Sequence, residues 1–309
     1  MARSPLDVAG RTVFITGAAR GIGAGAARRL HAAGANVALA GLEPELLEEV
    51  AAGLGPRAAW FEADVTDYDA LQAAVEGTIA RFGAIDIAIA NAGIQFMGRM
   101  ETMPREHFER TLEVNLMGTW RTDRAVLSEI VRNRGYLLNI SSLAAASHAP
   151  LMGAYTASKA GVEAMTDALR VELAPSGARV GCAYFGFIDT DLVRGSFAHP
   201  STQALTAVMP KFVAQAAPLS QAIDAIERGV ARRSARVWAP RYVGGALVLR
   251  GLLQPVSEWR VTRSRRLAQA LALADPAPGA AALSEREAKL GVSAQQASAQ
   301  TPAGRAPVS

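Results

Sequence analysis

This sequence predicts an α/β fold in which helices cover both faces of a doubly wound parallel sheet, and three observations carry the prediction. Short runs rich in Val, Ile, Leu and Ala recur over the first 240 residues with helical stretches between them, as expected for strands buried on both faces. The first run opens directly into a glycine-rich turn, TGAARGIG, Thr16 to Gly23. Half of the 309 residues are hydrophobic and only 6% are aromatic, so a sizeable core can form from aliphatic side chains.

The elements follow in order. TVFI (12–15) leads through the glycine turn into AGAARRLHAAG; NVALA (36–40) precedes PELLEEVAAGL; AAWFEADV (58–65) precedes YDALQAAVEGTIARFG. IDIAIANAG (85–93) is followed by one long helical stretch from about Pro104 to Arg132, then GYLLNISS (135–142), a helix carrying Tyr155, and RVGCAYFG (179–186). The region from Phe187 to Ala216 breaks the rhythm, with SFAHPSTQ read as loop between short helical pieces of a lid. A helix (220–233) and a final strand, RVWAP (236–240), close the pattern. The chain thus divides into a main domain (1–240), a basic amphipathic extension (241–275) and a disordered tail (276–309) rich in Ala, Pro, Ser and Gln, with a short helix expected around Glu285 to Leu290.

A single cysteine, Cys182, rules out an internal disulfide framework, and His31, His107, His148 and His199 are too scattered for a metal site. No apolar run of signal-peptide type precedes Gly10, so the expected compartment is the cytoplasm. Ten arginines fall between Arg228 and Arg266 against one acid, Glu258, so the chain's net charge of +4 is concentrated there. That distribution speaks against a nucleic-acid-binding face.

Two motifs carry chemistry. In the glycine turn, Gly17, Gly21 and Gly23 allow close approach of backbone to a pyrophosphate at the N-terminus of the next helix. In YTASKAG (155–161), Lys159 is one of only three lysines and lies one helical turn beyond Tyr155, on the same face. An ammonium beside a phenol can lower the phenol's pKa.

Together with NAG (91–93), Asn115 in EVNLMG and NISS (139–142), these motifs resemble the short-chain dehydrogenase/reductase family in its single-domain branch, over about Leu6 to Pro240. The resemblance implies that Tyr155 is the acid/base for the substrate oxygen while hydride moves to or from a nicotinamide. It makes Lys159 the holder of the ribose hydroxyls and the group that lowers the Tyr155 pKa. Ser142, thirteen positions before Tyr155, would hydrogen-bond the carbonyl or alcohol oxygen, in preference to Ser141, and Asn115 would hold a water linking Lys159 to solvent. Cofactor contacts map onto Gly17, Arg20, Gly21, Ile22 and Gly23 in the turn. Asp64 and Val65 map to the adenine, Asn91 to the nucleoside side and Thr190 to the carboxamide, with Tyr155 and Lys159 at the nicotinamide end. Phe185 stands where the family usually has proline, and is expected to serve as apolar filler.

NADP(H) is favoured over NAD(H), because Gly41 and Leu42 occupy the end of the second strand where an acidic residue would bind ribose hydroxyls, and Arg20 is placed to meet a 2′-phosphate. Ile94, Phe96, Met97, Leu151, Met152, Phe187 and Leu192 are expected to form an apolar substrate wall, fitting a steroid-, terpenoid- or long-chain-like alcohol or carbonyl. The resemblance also implies a homodimer or homotetramer. The alternative is a non-catalytic dinucleotide-binding sensor or interaction module, against which the set Asn115, Ser142, Tyr155 and Lys159 argues. For 241–266 two readings stand: a helix lying on anionic lipid, or, slightly preferred, a cover over the substrate mouth or a subunit interface.

Overall fold

In the computed structural model, residues 6–207 and 209–274 are described; the tail expected from 276 onward, with its short helix, lies outside them. The elements are β1 (Thr12–Thr16), α1 (Gly21–Ala32), β2 (Asn36–Gly41), α2 (Pro44–Leu54), β3 (Ala58–Glu62), α3 (Tyr68–Phe82), β4 (Ile87–Ala90), α4 (Arg105–Leu112), α5 (Gly118–Arg132), β5 (Tyr136–Ile140) and α6 (Gly153–Glu172). They continue with β6 (Arg179–Phe185), α7 (Asp191–Ala198), α8 (Pro200–Thr206), α9 (Lys211–Ala214), α10 (Leu219–Arg232), β7 (Arg236–Ala239), α11 (Arg241–Val248), α12 (Arg250–Thr262) and α13 (Arg265–Ala274).

All seven strands are parallel, in the order β3-β2-β1-β4-β5-β6-β7. The strand period of two sorts each strand's side chains onto two faces. Val13, Ile15, Leu39, Ile89 and Leu138 pack on one side with Leu30 of α1, Leu47 of α2 and Ile226 of α10. Phe14, Ala38, Ala88 and Leu137 pack on the other with Leu71 of α3 and Val126 and Ile130 of α5. The winding reverses between β1 and β4, and such a sheet opens a crevice beyond its strand ends at that point.

Local chemistry explains several boundaries. Asp67 caps α3 by accepting from the backbone N–H of Asp69 (2.9 Å) and Ala70 (3.1 Å), and Gly83, with φ +87°, ends it in the left-handed conformation. SFAHPSTQ is helical apart from His199, contrary to the loop reading: Nδ1 of His199 accepts from Ser201 N (3.3 Å), and Pro200 sets the first turn of α8. The long helix expected from Pro104 to Arg132 is interrupted by a π-helical turn at Glu113–Met117. Three strands are shorter than the apolar runs, ending at Glu62, Ala90 and Ile140, and the residues that follow each end border a cleft.

The segment after Pro240 folds back on the main sheet. Val243 of α11 is buried against Cys182 and Tyr184 of β6. Ala270 of α13 is buried with Leu151 and Leu205 of α8, and Met97 and Leu267 pack at its edge. Among the described residues no helix is long and apolar enough to cross a membrane.

Candidate active site

The turn after β1 is built on glycines. Gly17 and Gly21 have φ of +62° and +55°, a backbone region that other residues rarely adopt. A Cβ at Gly23 would stand 2.3 Å from the Gly17 carbonyl oxygen and 2.7 Å from Asn91 Nδ2, so only glycine lets α1 start so close to β1. Asn91, at the end of β4, braces this turn by donating from Nδ2 to the Thr16 and Gly17 carbonyls at 3.0 Å each.

One cleft joins most of the predicted residues. Gly17, Arg20, Gly21, Ile22, Asp64, Val65 and Asn91 line one part of it, and Ser142, Tyr155, Lys159, Phe185 and Thr190 also line it. Gly23 and Asn115 sit behind the wall instead. Asn115 Oδ1 accepts from Ile94 N (2.8 Å), and its Nδ2 donates to Ile94 O (2.9 Å) and Ser158 Oγ (3.0 Å). Asn115 sits in the π turn and clamps the loop that follows β4 to α6.

Ser142, Tyr155 and Lys159 come together because β5 ends where α6 passes over it. Lys159 is buried, its Nζ donates to the Ile140 carbonyl at 2.9 Å, and it stands 5.8 Å from the centre of the Tyr155 ring. Burial pulls the Lys159 ammonium down to about 8. Burial pushes the Tyr155 phenol above its usual range, and its hydrogen bond with Ser142 offsets part of that rise. Among the protein's own groups, desolvation thus sets the direction for Tyr155 and Ser142 opposes it. Ser141 also borders the cleft, but its hydroxyl is engaged, donating to the Lys159 carbonyl at 2.8 Å, and so ties α6 to β5.

At the other end of the cleft, burial raises the Asp64 carboxyl, but hydrogen bonds from the Thr66 N–H (2.9 Å) and hydroxyl (2.8 Å), with Arg110 nearby, outweigh it and hold the group below the usual carboxylate range. Arg20 donates from Nε to Glu43 Oε2 at 2.9 Å, makes a second bond to the same carboxylate, and lies 3.7 Å from Asp191. Sequence reasoning left Arg110 out, and nothing local marks it, since it meets Asp64 across 46 positions. Thr190 caps α7 through Val193 N (3.4 Å) beside Gly21.

The expected apolar wall is only partly a wall. Ile94 and Leu192 line the cleft, whereas Phe96 is buried in a stack on His107 with ring centroids 4.2 Å apart, and Leu151 packs beneath α13. Phe187 meets Phe197 of α7 edge-on at 4.9 Å. Phe185 is 5% exposed, in the core with Ile188 and Ala239 while one edge borders the cleft. Gly186 keeps the turn beyond it, where a Cβ would lie 2.5 Å from the Tyr242 hydroxyl.

A family model described as short chain dehydrogenase matches residues 11–201. The chain belongs to the short-chain dehydrogenase family. It is 34% identical over 224 residues to the oxidoreductase UcpA of Salmonella typhimurium, spanning 71% of this chain and 85% of that one. It is 36% identical over 204 residues to the trans-4-hydroxycyclohexanecarboxylate dehydrogenase of Sinomonas cyclohexanicum, spanning 63% and 79%. Among solved structures, a short-chain type dehydrogenase/reductase from Mycobacterium marinum superposes with a TM-score of 0.68 at 29% identity, over 75% of this chain and 94% of that one. This short-chain dehydrogenase is thus an oxidoreductase of a family that uses nicotinamide dinucleotides. The residues present fit such a group: a glycine cradle that a Cβ would fill and a polar end at Asp64 lie in one cleft with the Tyr155 phenol.

Proposed function

We propose that this short-chain dehydrogenase interconverts an apolar secondary alcohol and its ketone, with Tyr155 as the group that gives or takes the proton at the substrate oxygen. The observation that carries the reading is the meeting of Ser142, Tyr155 and Lys159 at one end of a cleft whose other end is the glycine turn. A nicotinamide held by the glycine turn and Thr190 would supply or receive the hydride. Ser142 orients the substrate oxygen toward the phenol, and Lys159, with its pKa near 8, is poised to exchange a proton near operating pH. Asn115, held to Ile94, keeps the π turn against α6 rather than contacting substrate. Ile94 and Leu192 give the mouth its apolar character.

NADP(H) is proposed ahead of NAD(H). Gly41 and Leu42 border the cleft without a carboxylate of their own, and Arg20 already binds one anion, Glu43, at the place where a 2′-phosphate would be read. The proposed assembly is a homodimer or homotetramer through the outer faces of α5 and α6, where Trp120 and Val171 stand exposed. Nicotinamide absorbance followed with a panel of apolar ketones and alcohols tests the reaction. Tyr155→Phe should lower turnover roughly 100-fold or more with cofactor binding retained, and equal turnover by both proteins would sink the assignment.

A further inference from the structure

α12 is an amphipathic helix turned inside out. Leu249, Leu252, Leu253, Val256 and Trp259 recur every three or four residues and so share one face. That face points away from the protein: Leu252 is 71%, Val256 61% and Trp259 60% exposed. The polar face is the one that grips the body. Arg250 donates to both oxygens of Glu163 on α6 (2.9 and 3.0 Å), and Gln254 accepts from His148 N (2.9 Å) and donates to His148 O (3.3 Å). A helix that merely completed a core would bury the opposite side.

The charges choose among occupants. Arg260 and Arg263 stand at the C-terminal end of the apolar face; Arg263 lies over the Trp259 ring at 4.8 Å and donates to the Trp259 carbonyl at 3.4 Å, which keeps its charge beside the exposed apolar surface. The single acid between Arg228 and Arg266, Glu258, is turned to Gln254 (2.8 Å). A second copy meeting this face about a two-fold axis would bring the same patch to it, offering the arginines no carboxylate. An anionic bilayer offers both an apolar interior and negative headgroups.

We infer that α12 is an interfacial docking element that seats this protein on anionic lipid, with Leu252, Val256 and Trp259 entering the acyl boundary and Arg260 and Arg263 meeting the headgroups. Docking there would be transmitted to the region of the cleft by two anchors: Arg250 on the helix that carries Tyr155, and Gln254 on the loop before it. The inference does not depend on the reaction proposed above.

The full chain should co-sediment with phosphatidylcholine vesicles that contain phosphatidylglycerol, and far less with phosphatidylcholine alone or at high salt. Paired Leu252→Glu and Val256→Glu substitutions, both at exposed positions, should abolish association while turnover of a water-soluble substrate and cofactor binding persist. Arg260→Gln with Arg263→Gln should weaken it roughly thirtyfold. Vesicles should shift tryptophan emission to the blue, and Trp259→Phe should lose that shift. No association with anionic vesicles at low salt, or association that the paired glutamates leave intact, would overturn the inference. So would a wild type that ignores vesicles while the glutamate pair splits a homo-oligomer, since the face would then belong to a second copy.

Discussion

Asn115 and Ile94 are joined by two hydrogen bonds of 2.8 and 2.9 Å, one in each direction, so a single side chain satisfies both backbone groups of a residue 21 positions earlier. Asn115 is fully buried and Ile94 nearly so. Asn115→Leu removes both bonds and the one to Ser158, leaving Ile94 N–H and C=O without partners. A buried polar group left unpaired costs about 1–3 kcal/mol, so with two such groups denaturant unfolding should show a loss of roughly 2–6 kcal/mol. A loss within error would mean that the π turn holds without its clamp.

In the proposed reading Arg20 and Glu43 set the cofactor preference. Arg20→Ala should lower kcat/KM with NADPH at least tenfold while NADH is little affected, because one charge-assisted contact to a 2′-phosphate is lost. Glu43→Gln should move the ratio the other way, since a carboxylate would no longer compete for the guanidinium. A preference unchanged in Arg20→Ala would remove this residue from cofactor choice.

The rate of alcohol oxidation should report the Tyr155 environment. In the proposed reaction, oxidation needs Tyr155 as its phenolate to accept the alcohol proton, so the rate rises with pH through the phenol's pKa. Burial raises that pKa and the Ser142 hydrogen bond lowers it. Ser142→Ala therefore moves the rise to more alkaline pH and lowers the plateau by about tenfold or more. An unmoved profile would show that Ser142 does not face the phenol in the working enzyme.

Asp123 supplies a separate pH effect, on stability. It accepts from Asn139 Nδ2 (2.8 Å) on β5, while its second oxygen is buried without a partner. Burial pushes its carboxyl up to about 8, against the pull of Asn139. Between its ordinary value and about 8 the folded state holds a proton that the unfolded chain releases, so its contribution to stability is lost as pH rises through that window. From about pH 6 to about pH 9 the wild type should lose roughly 1–3 kcal/mol relative to Asp123→Asn, measured as the difference in urea midpoints. Parallel pH dependence of the two proteins would exclude a protonated Asp123.

Much of this protein could be read from local pattern. The continuous apolar strands, the glycine turn after β1 and the spacing of Tyr155 and Lys159 each depend on residues close in sequence, whose relation is set by the geometry of one strand, one turn or one helix. The order of the motifs then marked the family. Phe185 as core filler followed from its size and apolarity alone.

What only the tertiary structure decided involves residues brought together from afar, or the rotation of a helix about its own axis. Asp64 meets Arg110, and Arg20 meets Glu43, through the packing of separate elements. The π turn at Glu113–Met117 arises where Asn115 reaches Ile94, and no helical periodicity announces it. Phe96 left the expected wall because His107 gave it a stacking partner. The apolar residues of α12 were visible as a list, but which side of that helix met the protein was settled by two long-range anchors, Arg250 to Glu163 and Gln254 to His148. A sequence encodes which residues share a face; the direction in which that face points depends on everything packed against the other side.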